Sequence, residues 1–154
     1  MKKLAFFIML AFLAACTPQK LVIVQVADAQ LGFMGGERAK TEGPELADDL
    51  TYEVEYLKKA IEVINDIKPD AVVFTGDQVH RAKKDAQWDT FIETISAIDK
   101  SVTCLHIPGN HDLIIKKNKI VDSSDYKKRF PEDRFIYKNK GVTLVGINSN
   151  LIKY

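Results

Sequence analysis

Three short polar clusters hold the residues of this sequence whose types suit metal chemistry. They lie at positions 28–30 (Asp-Ala-Gln), 76–80 (Gly-Asp-Gln-Val-His) and 109–112 (Gly-Asn-His-Asp). Together they offer carboxylate and amide oxygens and two imidazoles, and oxygen donors are the ligands that hard divalent cations prefer. The clusters therefore predict a site for Mn²⁺, Fe²⁺ or Mg²⁺, at which Zn²⁺ would also be tolerated.

The middle cluster supplies a carboxylate, Asp77, with an oxygen donor on either side of it in the chain order. A central carboxylate can bridge two ions that lie about 3.5–4 Å apart, and such pairs serve in-line displacement at phosphorus. Taken alone, each of these residues is more often an ordinary turn or strand-end residue. Their order favours a shared site, and we expect two divalent metal ions and a phosphorylated substrate.

Each cluster follows an apolar run that predicts a buried strand. The runs cover residues 21–27, 71–75 and 102–107, and apolar residues at three- and four-residue steps predict helices over 50–64 and 88–98. Strands that alternate with helices are typical of a parallel α/β sheet with right-handed crossovers. Because ligands bind at the carboxyl ends of such strands, the three clusters should meet at one edge of the sheet.

Turn residues and shorter apolar runs complete the outline. Glycines and a proline predict a long loop over residues 29–47. A short helix is expected over 124–130, and two strands over 135–137 and 142–147.

Several single residues have ordinary structural interpretations. His106, inside the third strand, is expected to be a packed core or edge histidine, and Cys104 to be a small buried hydrophobe. Lys116, Lys117 and Lys119 indicate a solvated loop, with attraction of an anionic substrate as the alternative.

The order Asp-x-Gln, Gly-Asp-x-x-His and Gly-Asn-His-Asp resembles the calcineurin-like metallophosphoesterase superfamily. The Gln of the first motif and the Asn-Ser at 148–149 are similar to its serine/threonine-protein phosphatase-like branch. The similarity extends from residue 21 to about residue 150. It implies that residues 21–154 form the N-terminal half of a four-layer αββα sandwich with a mainly parallel sheet.

The resemblance also implies metal ligands. Asp28 and Gln30 would hold the first metal, Asp77 would bridge both metals, and Asn110 would bind the second. Since Gln30 stands where histidine is commoner, and a neutral amide is a weaker donor, the preference for particular metals would shift.

The same resemblance implies catalytic roles in the last two clusters. His111 would give a proton or a hydrogen bond to the phosphoryl or leaving oxygen, and Asp112 would orient the His111 ring. His80 would be a group on the substrate side, or a loop histidine that makes local hydrogen bonds.

The superfamily continues with a lone His and a Gly-His-x-His motif that these residues do not contain. The chain has only His80, His106 and His111. We therefore consider two hypotheses: part of a metal-dependent phosphoric ester hydrolase, or a truncated, catalytically silent lipoprotein that keeps half of the fold as a binding or remnant module. A reading frame that continues into these histidines would support the enzyme, and a stop after Tyr154 would support the remnant.

The first residues predict a lipoprotein signal. Lys2 and Lys3 precede an unbroken apolar run that is too short to cross a bilayer, so residues 1–15 read as a signal peptide. Small residues before Cys16 resemble a bacterial lipobox, in which this cysteine is lipidated; the alternative is an ordinary signal peptide with an incidental cysteine. Residues 16–20 would then be the lipidated N-terminus and a short linker, and the protein would be an extracytoplasmic, membrane-anchored bacterial lipoprotein of the periplasm or the cell surface.

Charge excludes one class of partner. Without Lys2 and Lys3, the 22 basic residues fall to 20, against 21 acidic residues. A nearly neutral domain gives no electrostatic reason to bind nucleic acid. The sequence leaves the oligomeric state and the particular phosphoester open.

Overall fold

The apolar runs form the predicted parallel sheet. The computed structural model describes residues 19–117 and 119–152, and its central sheet has the strand order β1-β2-β3. The strands are β1 (Ile23–Val26), β2 (Ala71–Phe74) and β3 (Thr103–His106). They run parallel to one another, with Ile23 beside Ala71 and Ala71 beside Thr103. The α/β class is confirmed.

Two helices bury one face of this sheet. In chain order the helices are α1 (Phe33–Arg38), α2 (Thr51–Ile67), α3 (Asp85–Ile95) and α4 (Ser124–Arg129). The core cluster joins Phe74 of β2 to Ile61 of α2 and to Trp88 and Phe91 of α3. Full burial of each such side chain contributes about 1.5–3 kcal/mol. The core cluster therefore holds in place the sheet that has the polar clusters at the carboxyl ends of its strands.

A further strand pair has its turn at the opposite end of the sheet from those clusters. The strands β6 (Phe135–Asn139) and β7 (Val142–Gly146) form an antiparallel hairpin, as predicted. The Tyr137 hydroxyl donates to the carbonyl of Asp70, just before β2, at 3.2 Å. Lys140 Nζ lies 2.7 Å from the Asp70 carboxylate. These contacts attach the hairpin turn to the amino-terminal end of the sheet.

Two segments expected to be loops have structure of their own. The segment 29–47 contains α1 and the start of a 3₁₀ helix over Pro44–Asp48. The three lysines after the last cluster are exposed, as expected, but they lie on a hairpin of β4 (Ile114–Lys116) and β5 (Lys119–Asp122) and not on a loop without regular structure. The hairpin forms because Ile115 and Ile120 pack against the core.

The expected burial of two strands is wrong, for a common reason. The run at 21–27 was expected to form a buried strand, but residues along β1 alternate between exposed and half-buried, and Ile23 is 36% exposed. Cys104 on β3 is exposed. Both strands lie at edges of a three-stranded sheet, and only β2 between them is buried at every residue.

The predicted signal peptide and lipidated Cys16 lie outside the described residues. Within residues 19–117 and 119–152, no helix has the length and apolar character needed to cross a membrane.

Candidate active site

The first two clusters lie side by side because the pairing of β1 and β2 continues past both strands. The amide of Asp28 donates to the carbonyl of Gly76 at 3.2 Å, and the amide of Gln30 donates to the carbonyl of Asp77 at 2.8 Å. The backbone of Asp28, Gln30 and Asp77 is left-handed, with φ values of 53°, 43° and 49°. Non-glycine residues enter this region at a cost, and such strain is concentrated at functional sites.

The second and third clusters are in van der Waals contact. A Cβ added to Gly76 would lie 2.6 Å from the amide nitrogen of Gly109, and one added to Gly109 would collide with the Asp77 carboxylate. Only glycine therefore permits this approach. The amide of His111 donates to Asp77 Oδ1 at 2.8 Å, which leaves the other carboxylate oxygen for a ligand.

Asp112 connects the second and third clusters through hydrogen bonds. Its side chain is fully buried, with 0% exposure. Oδ1 accepts hydrogen bonds from the amides of Gln78 and Val79 at 2.9 and 3.1 Å, and Oδ2 accepts one from the amide of Gly109 at 2.9 Å. Burial raises the pKa of this carboxyl to about 7, and the amide donors oppose that shift.

The resemblance implies that Asp112 orients the His111 ring, but in the structure a different group does so. Its Nδ1 lies 2.9 Å from the carbonyl oxygen of His80, and no hydrogen bond joins the ring to Asp112 within the described residues. Since a carbonyl can only accept, Nδ1 carries the proton and Nε2 remains for a substrate. Asp112 positions the loop, and the His80 carbonyl orients the imidazole.

His80 itself lies next to His111. The two rings are stacked with centroids 5.1 Å apart. His80 Nδ1 is buried without a hydrogen-bond partner in the described part of the chain. Burial lowers the pKa of His80, and the charge of His111 lowers it further, which favours a neutral ring.

Two residues near His80 were not identified from the sequence. Phe33 of α1 packs edge-on against the His80 ring, with centroids 5.5 Å apart. Arg81 follows His80 directly, and its guanidinium forms no ion pair with any described residue. Arg81 could have been noticed in the sequence because it directly follows the second cluster.

His106 belongs to the core and not to the site. Its ring stacks on Phe74 and Phe130, with centroids 4.7 and 3.9 Å apart. The packed core position is as expected, but Nδ1 is buried and finds no partner among the described residues.

The spacing of the clusters and their convergence at one edge agree with the comparison to known families. A sequence profile for calcineurin-like phosphoesterases matches residues 21–151. The chain belongs to the calcineurin-like phosphoesterase family. A search of curated proteins finds no significant match. Membership establishes the coarse function, phosphoester hydrolysis by a family that generally binds divalent metals, and the parallel sheet is a part of the fold of such a phosphoesterase.

The donor chemistry of this phosphoesterase site fits part of a divalent metal centre. Asp28, Gln30, Asp77 and Asn110 supply carboxylate and amide oxygens at adjoining loops. Within residues 19–117 and 119–152, no three His, Cys, Asp or Glu side chains are grouped closely enough to hold a metal by themselves. The two carboxylates thus depend on amide oxygens and on further ligands to complete a coordination sphere.

Proposed function

We propose that this phosphoesterase hydrolyses phosphomonoesters with two divalent metal ions, as a lipoprotein anchored outside the cytoplasm. The observation that carries the catalytic part is the contact of the three clusters. The loop of Asp28 is hydrogen-bonded to that of Asp77, and Asp77 is hydrogen-bonded to the loop of Asn110 and His111. Four oxygen-donor residues and one imidazole therefore share a small region at the carboxyl edge of the sheet.

Each residue has a distinct part in this proposal. Asp28 and Gln30 would hold one ion, Asn110 would hold the other, and Asp77 would be a ligand shared by both. When bound, the two ions would activate water and neutralise charge on the phosphoryl oxygens. The identity of the metals is open among Mn, Fe, Mg and Zn.

His111 is the proton donor to the leaving oxygen in this proposal. Because Nδ1 is used by the His80 carbonyl, the proton must leave from Nε2. The ring must therefore be doubly protonated before the transfer and singly protonated after it. Asp112 acts at a distance from the substrate, by holding Gly109, Gln78 and Val79 in place.

The proposed activity needs metal ligands in addition to the donors that these residues supply. The chain supplies two carboxylates and two amides, and two cations about 4 Å apart repel each other too strongly for so few donors. By resemblance, the lone His and the Gly-His-x-His motif of the family would supply the rest. We propose activity for the chain joined to such a segment.

A catalytically silent remnant is the second candidate. It is favoured by the lack of a three-residue acidic or histidine cluster among the described residues. In that case the fold would be kept for binding alone, at the membrane that the Cys16 lipid would reach.

An activity assay separates the candidates. Turnover of p-nitrophenyl phosphate with Mn²⁺ is measured for the 154-residue chain and for the chain extended through the histidine motif. We expect turnover only from the extended chain, and expect chelation of the metal to abolish it. An extended, folded protein without metal-dependent turnover would favour the remnant; turnover by the shorter chain would show that its own donors suffice.

A further inference from the structure

A pocket adjoins the proposed metal site on the side of α1 and α2. Its volume is about 350 Å³, and its lining includes Asp28 and Gln30 of the first cluster and Tyr52, Glu53 and Tyr56 of α2. The volume is within the range of small-molecule sites. A ligand with one end at the metal ligands would have its other end against α2.

Glu53 gives this pocket an unusual electrostatic character. The residue is 8% exposed, and its Oε1 accepts a hydrogen bond from the amide of Met34 at 2.7 Å. Its Oε2 is buried and has no hydrogen-bond partner within the described residues. A buried carboxylate without a counter-charge is costly, so a cation in the pocket would offset that cost.

The pocket walls also favour a cation. The ring centroids of Tyr52 and Tyr56 are 4.7 Å apart, and Phe33 also lines the pocket. Aromatic faces attract ammonium groups, most strongly when these are alkylated and poorly hydrated. The residues that line the pocket, all within the described ranges, include no Lys, Arg or His. Lys59 lies over the Tyr56 ring at 5.1 Å but is held by Glu55 and is not part of the lining.

We propose that this pocket binds an alkylammonium group carried by the alcohol part of the phosphoester. The proposal names a substrate class and, for its catalytic consequence, rests on the proposed phosphohydrolase function. The phosphoryl group would lie at the metal ligands, and the ammonium group would lie between Glu53 and the two tyrosines. Hydrolysis would break the bond from phosphorus to the alcohol oxygen and form one from phosphorus to the oxygen of water. The products are an amino alcohol, which takes its proton from His111, and inorganic phosphate.

Binding of the alcohol part alone tests the pocket without hydrolysis. Choline, ethanolamine and 3,3-dimethylbutanol, the uncharged carbon analogue of choline, are each titrated into the 154-residue chain and followed by tyrosine fluorescence and ligand NMR. We expect choline to bind at least about tenfold more tightly than the uncharged analogue, since shape is shared and only the charge differs. Ethanolamine separates a primary ammonium from a quaternary one.

Two variants on α2 assign the effect to Glu53. Glu53→Gln keeps an oxygen to accept the Met34 amide, so the fold is retained while the charge is removed. It should bring the affinity for choline close to that for the uncharged analogue. Glu55→Gln, which removes an exposed carboxylate paired with Lys59, should leave the preference unchanged.

Equal affinity for choline and its uncharged analogue would overturn the proposal, as would an equal effect of both variants. Because this measurement needs neither metal nor turnover, a failed phosphatase assay leaves it standing. Conversely, an active phosphatase without a charge preference in this pocket would refute the substrate class alone.

Discussion

Replacing Asp112 by asparagine tests whether this residue holds two loops together or orients the His111 ring. Oδ1 accepts from Gln78 and Val79, and Oδ2 accepts from Gly109. Asparagine can keep its oxygen towards the first two amides, but its NH₂ group then faces the amide of Gly109. One hydrogen bond is lost, and two donors, the Gly109 amide and the buried asparagine NH₂ group, are left without an acceptor.

The expected loss follows from these two unpaired donors. Leaving a buried donor unpaired costs about 1–3 kcal/mol, so we expect Asp112→Asn to lose about 2 kcal/mol in the free energy of unfolding. For a domain of this size, each kcal/mol shifts Tm by about 2–4 °C, so Tm should fall by roughly 4–8 °C. Asp112→Ala abolishes the three hydrogen bonds and should cost at least about 3 kcal/mol.

Urea and thermal unfolding, followed by circular dichroism, measure this loss. Asp125→Asn is the matched control, because that carboxylate is 2.8 Å from Lys83 in a partly exposed ion pair. Such pairs contribute about 0–1 kcal/mol, so the control should unfold close to the wild type. If Asp112→Asn were as stable as the control while turnover of the extended enzyme fell, the loop-holding role would be refuted and the orienting role restored.

Other predictions concern chemistry, anchoring and pH. In the extended enzyme, Asp77→Asn should weaken metal binding and remove nearly all phosphatase activity, whereas His111→Ala should keep the metals and lower turnover roughly 10²–10⁴-fold. Metal analysis and kinetics on both variants check this prediction. Loss of metal from the His111 variant would contradict it. Cys16→Ser should abolish lipid labelling and leave the protein unprocessed or released from membranes, so unchanged labelling and retention would end the lipoprotein interpretation. Burial lowers the pKa of His106 from 6.5 to about 4, so the folded state binds fewer protons than the unfolded state between these values. Stability should therefore be complete above pH 6.5 and decrease by about 3 kcal/mol as the pH falls towards 4. His106→Phe, which keeps the aromatic stack, should remove this part of the pH dependence; an unchanged profile from unfolding titrations would exclude His106 as its source.

The elements that could be predicted are those with strong local patterns. The helix over residues 50–64 and the strand at 71–75 have regular apolar spacing, and both are present as α2 and β2. The three clusters meet because the carboxyl ends of parallel strands share an edge, which requires no knowledge of distant contacts.

Features that depend on distant neighbours were not predictable in the same way. An apolar strand gives no local sign of being at an edge of the sheet. The predicted burial of β1 and Cys104 is therefore greater than their burial in the structure. The β4–β5 hairpin depends on Ile115 and Ile120 reaching the core, and the lysines between them obscure that pattern. The role of Asp112 could not be read from its proximity to His111 along the chain, because two of its three partners come from the cluster at 76–80.

The left-handed backbone at Asp28, Gln30 and Asp77 has an evolutionary consequence. Glycine at any of these positions would relieve backbone strain of about 1–2 kcal/mol but would also raise the entropy of the unfolded chain, so the net change in stability should be small while a proposed metal ligand is lost. A lineage released from selection for activity would therefore lose these ligands at little cost in stability.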